Sequence, residues 1–137
     1  MRISLVLLVA ILWVGPGSRA AEAQASPCAA AAFRAFDFWV GEWVVRDADG
    51  REVGRNRIRR VSGGCALLES WTSAGGTTGA SLNFYDPEDG RWTQVWVGAR
   101  GLRLHLVGGM EDGAMVLSGE RTSDEGRVRD RITWTPM

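Results

Sequence analysis

The chain has 137 residues, room for one domain, and its Lys+Arg count of 16 equals its Asp+Glu count of 16. Zero formal net charge argues against a nucleic-acid partner, which needs surplus positive charge to displace counterions from phosphate. A hydrophobic content of 45% excludes a fully disordered chain, and 7 Trp against 1 Tyr, with Arg as the sole basic type, mark a Trp-rich module.

In chain order, Arg2 is followed by an apolar run over residues 3–14, broken by Gly15-Pro16-Gly17. The run is shorter than the ~20 residues of a membrane helix, so residues 1–25 read as a secretory signal peptide. Ala23-Gln24-Ala25 is the preferred cleavage site, which leaves 26–137 as a single mature domain, periplasmic or secreted, with no membrane span after cleavage. The alternative is an uncleaved anchor. Pro27 before Cys28 argues against lipid attachment. In an oxidising compartment Cys28 and Cys65 are expected to form a disulfide, the alternative being two free thiols.

An Ala-rich segment, 29–36, is the one helix candidate. Beyond Trp39, β-rich runs alternate with Gly/Asp turn clusters about every dozen residues, the pattern of antiparallel hairpins. About eight strands are predicted, near 42–46, 52–61, 65–72, 79–85, 91–97, 102–108, 114–120 and 127–135. No amphipathic helix is available to cross over between parallel strands. The fold class is all-β, an antiparallel up-and-down barrel with a short N-terminal helix, since closure removes exposed sheet edges.

Alternation assigns the faces. Arg55, Arg57 and Arg59 form a solvated row, which sends Asn56 and Ile58 inward. Leu67, Glu69 and Trp71 share a face, as do Trp92, Gln94 and Trp96, while Leu102, Leu104 and Leu106 oppose Arg103 and His105. Polar groups among Trp and Leu suit a lined pocket better than a dry core. Trp71, Trp92 and Trp96 are therefore the candidate ligand-binding walls, and Asn56, Glu69, Asn83 and Gln94 the orienting groups. A buried carboxylate costs several kcal/mol unless compensated, so Glu69 needs an Arg, a donor network, water or a ligand. Arg129 and Arg131 are the candidate partners. Trp39, Trp43 and Trp134 are read as core.

The segment Phe36-Asp37-Phe38-Trp39-Val40-Gly41-Glu42-Trp43, followed by GGCALLESW (63–71), SLNFYD (81–86), WTQVWV (92–97), MVLSG (115–119) and RITWTP (131–136), resembles a family of small exported bacterial proteins of unknown function. The resemblance covers essentially the whole mature chain and implies a lipocalin-like barrel of the calycin or nitrobindin type. It carries over no chemistry. Gly41-x-Trp43 is similar to the G-x-W that opens the first lipocalin strand, where the Trp closes the barrel beneath a late-strand Arg. That likeness implies structural roles for Gly41, Trp43 and Arg131, with Arg129 as the other candidate. Such proteins continue with a further hairpin beyond the T-W-T-P segment, so this barrel either lacks two strands or closes another way.

Little points to catalysis. One His and no close Cys pair give no metal motif, and no cofactor is implied. Related ten-stranded barrels bind haem through a His, but His105 sits between Arg103 and Val107 in an unrelated context. No G-x-S-x-G occurs, and the Gly-rich 75–79 segment has no Lys to make a phosphate loop. The expected function is binding of a small apolar or aromatic ligand inside the barrel. The alternatives are an enzyme using buried Glu69 as acid or base and a filled structural or partner-binding barrel. Ligand identity and oligomeric state have no sequence signal.

Overall fold

Each predicted turn separates two antiparallel neighbours. The computed structural model describes residues 26–124 and 126–137; the signal-peptide reading, including the 23–25 cleavage site, lies outside them. A short helix α1 (Ala31–Arg34) and a 3₁₀ turn (Asp37–Trp39) precede eight strands. These are β1 (Gly41–Arg46), β2 (Glu52–Val61), β3 (Ala66–Ser73), β4 (Thr78–Asp86), β5 (Arg91–Gly98), β6 (Arg103–Glu111), β7 (Ala114–Ser123) and β8 (Gly126–Trp134). They form one sheet in sequence order, β1 to β8. The all-β up-and-down fold is therefore as expected. The sheet curls like a barrel but does not close: among the described residues no pairing joins β1 to β8.

Local chemistry sets the turns. Asp47 Oδ1 accepts the backbone N–H groups of Asp49 and Arg51 and so ties off the β1–β2 connection. The connection between the predicted strands 102–108 and 114–120 is shorter than those bounds imply. Glu111 pairs with Ala114, and only Asp112-Gly113, both at positive φ, make the turn. That is the two-residue geometry whose twist matches antiparallel strands, so β6 runs on through Gly108 and Gly109.

The helix is also shorter than the predicted 29–36. Ala30 offers no capping side chain, and one helical turn cannot sustain itself against the cost of nucleation. Tertiary ties hold the segment instead. Cys28 is disulfide-bonded to Cys65, joining it to the start of β3, and Asp37 ion-pairs with Arg34 and Arg60. Phe33 meets Tyr85 edge-on, docking α1 on β4.

This N-terminal segment plugs one end of the curled sheet. Phe36 is fully buried, stacked on Trp39 at 4.8 Å and edge-on to Trp92 and Trp134. Ile58, Leu67, Leu106, Met115 and Leu117 complete the core around it. Two plug carbonyls that a short helix leaves unsatisfied accept indole N–H groups: Trp92 Nε1 donates to Ala32 O at 3.1 Å, and Trp43 Nε1 to Trp39 O at 2.8 Å. The core therefore sits at one end, and the opposite half of the interior remains open.

Candidate functional site

Alternation along β3, β4 and β5 puts Glu69, Ser81 and Gln94 on the inner face, 6%, 2% and 2% exposed. The hairpin register sets Glu69 directly opposite Ser81, with Asn56 of β2 and Gln94 of β5 on the diagonals. Glu69 Oε1 accepts the Asn56 amide at 2.6 Å. Its Oε2 accepts the Ser81 hydroxyl at 2.5 Å and the Gln94 amide at 3.4 Å. Ser81 is the hub. Its one proton goes to Glu69, and its oxygen accepts Asn83 Nδ2 at 2.7 Å and Gln94 Nε2 at 3.3 Å. Among the described residues no positive charge enters the cluster. Burial pushes the Glu69 carboxyl above its ordinary value, while the hydrogen bonds from Ser81 and Asn56 pull the other way.

A cavity of about 560 Å³ opens over this cluster. Asn56, Glu69 and Gln94 line it together with Trp43, Trp71 and Trp96; Leu104, Ile132 and Trp134 supply the far wall, and residues 135–137 reach its rim. Two glycines make room for the indoles. A Cβ on Gly54 would lie 2.4 Å from the Trp71 ring, and one on Gly79 would lie 2.2 Å from the Trp96 ring. Each indole therefore lies across bare backbone of the adjacent strand, and any side chain there would push it into the cavity.

Of the expected ligand-binding residues, the structure gathers Asn56, Glu69, Trp71, Gln94 and Trp96 around this cavity. Trp92 is different: it is 3% exposed, packed on Phe36 and bonded to the plug, so it belongs to the core rather than to a pocket wall. Asn83 is fully buried and supports Ser81 from below, donating also to Leu67 O at 3.4 Å, and does not face the cavity. Trp39, Trp43 and Trp134, read as core, all line the cavity as well: Trp39 is part of the core, and Trp43 and Trp134 pack against it.

Arg129 and Arg131 are not partners of Glu69. Both are exposed, and Arg131 pairs with Glu111. Ile132 and Trp134 take the inner face of β8, which turns residues 129 and 131 outward. Arg131 accordingly does not stack on Trp43 as the G-x-W likeness implied; the Trp43 indole is anchored by the Trp39 carbonyl instead. Gly41 adopts φ +146° at the entry to β1, with the Trp43 ring 3.7 Å from where its Cβ would stand.

Sequence reasoning missed Ser81. It also missed Arg121 and Asp130, which share the half-buried inner face of β7 and β8 and pair at 2.8 Å. His105 is exposed on β6. Among the described residues no group of three or more His, Cys, Asp and Glu is placed to hold a metal ion, and no helix is long and apolar enough to cross a membrane.

Comparison of the chain with protein-family models, with curated proteins and with solved structures finds no match in any of the three.

Proposed function

We propose that this chain is an exported, lipocalin-like binding module that holds a small apolar or aromatic molecule. One observation carries the reading: a cavity of about 560 Å³, in the size range of small-molecule sites, whose indole walls surround a few convergent polar groups. A filled structural barrel would leave no such space. The Cys28–Cys65 disulfide supports export, because such bonds persist in oxidising compartments.

The test is titration with the neutral fluorophore N-phenyl-1-naphthylamine while intrinsic Trp emission is followed. Saturable enhancement, weakened by Trp71→Ala or Trp96→Ala, is the expected outcome. A probe that never saturates, or that binds both variants as tightly as the parent, would remove the reading.

The buried, upward-shifted Glu69 carboxyl favours a second reading, proton exchange with a bound substrate. Retained probe binding with abolished turnover in Glu69→Gln would identify it.

A further inference from the structure

The polar cluster at the base of the cavity is short of two things, positive charge and hydrogen-bond donors. Three donors reach Glu69, from Asn56, Ser81 and Gln94, and all are neutral. The guanidinium on the inner face of β7, Arg121, is already engaged by Asp130. A carboxylate offers about four lone-pair positions. Oε2 takes two donors, but Oε1 takes one, and the neighbouring Asn56 Oδ1 is buried with no partner among the described residues, as is Asn83 Oδ1 beneath Ser81. Glu69 and Asn56 both line the cavity. The missing complement is a group with several N–H donors and a positive charge.

The walls agree with that chemistry. Trp71 stands two residues from Glu69 on the same face of β3, and Trp43 is the register partner of Asn56. An indole face attracts a cation brought within about 6 Å of its centre, most strongly where water is excluded. Beyond the polar base the lining is mostly hydrocarbon and ring, including Leu104, Ile132 and Trp134, with the Thr135 hydroxyl near the rim and, among the described residues, no charged side chain besides Glu69. One end of the cavity suits an ammonium head, and the rest suits an apolar body.

We propose that the ligand is a protonated primary amine on an aromatic or branched hydrocarbon body, its ammonium beside Glu69 and Asn56 and its body between Trp71 and Trp96. The inference rests on the cavity being a ligand site. A primary ammonium is favoured over a quaternary one because only the former brings donors to the unfilled acceptors. A carboxylate ligand would meet like charge, and an alcohol would bring one donor and no charge.

The experiment displaces N-phenyl-1-naphthylamine from the parent protein at pH 7.5 with 2-phenylethylamine, 2-phenylethanol and 3-phenylpropanoate, which share body size and differ in the head. The amine is expected to bind about tenfold or more tightly than the alcohol, and the carboxylate more weakly than either. In Glu69→Gln the amine-to-alcohol ratio should fall towards one, whatever the variant's own affinity for the fluorophore. Amine affinity should also weaken as pH drops through the Glu69 titration. The side chains facing Glu69 from β2, β4 and β5 (Asn56, Ser81, Gln94) do not titrate, so no other group in contact with it confounds that arm. If alcohol and amine compete equally, the cation proposal fails and the binding module stands. If the fluorophore itself does not bind, both fail. The parent ratio decides the matter even where the variant does not fold.

Discussion

At the plugged end of the sheet, Trp92 is packed edge-on against Phe36, away from the cavity, and its N–H is used up on a backbone carbonyl. Toward the other end, Trp71 and Trp96 lie over the bare backbone of Gly54 and Gly79 and border empty space. The same residue type thus builds a core in one place and a wall in another. What separates the two is the neighbour across the strand: an aromatic ring that fills the interior, or a glycine beside a polar cluster that leaves it open.

The sharpest way to break this contrast is at the plug. Phe36→Ala removes a fully buried ring and leaves a hole among indoles that cannot collapse, so urea denaturation should show a loss of about 4 kcal/mol. The cavity side should suffer only indirectly.

The next effect belongs to the polar cluster. Ser81→Ala deprives Glu69, Asn83 and Gln94 of a shared partner and should cost about 2 kcal/mol by the same measurement. It should also move the Glu69 carboxyl further upward, since the Ser81 hydrogen bond is one of the forces lowering it; carboxyl NMR would read this directly. The sign of the stability effect follows from linkage. Folded Glu69 holds its proton more tightly than the unfolded chain does. Its effect on stability is therefore most favourable below the unfolded carboxylate value and is lost as pH rises through the raised folded value. Relative to Glu69→Gln, the parent should weaken across that window and then level off.

The smallest effect on stability is expected at Gly79→Ala, about 1 kcal/mol, because the added Cβ meets the Trp96 indole and no backbone, and the whole ring can turn toward the cavity. Fluorophore binding should nevertheless fall sharply. If binding is unchanged, the wall role of Trp96 is wrong.

The strand plan was legible because inward and outward residues alternate and because Asp and Gly mark the turns. The row Arg55, Arg57, Arg59 on β2 is the clearest case, and the structure leaves all three exposed. Glu69, Asn56 and Gln94 were found by the same periodicity. Ser81 was within reach too, since counting outward from Gly75 in the β3–β4 hairpin sets it opposite Glu69; a small hydroxyl residue simply carries no signal until register is applied. Trp92 and Trp96 could not be told apart from sequence. They share a face, and which is core depends on which end the N-terminal segment plugs, a tertiary fact. The misplacement of Arg129 and Arg131 was avoidable, because Ile132 and Trp134 already claim the inner face of β8.

The gap between β1 and β8 carries a mechanical consequence. A cylinder hydrogen-bonded all the way round has a bore fixed by its strand number and stagger. Here the two bordering strands can part or approach without breaking a single ladder bond between them. The sheet is thus a split collar, whose girth at the unplugged end is not fixed by any ladder bond between its first and last strands.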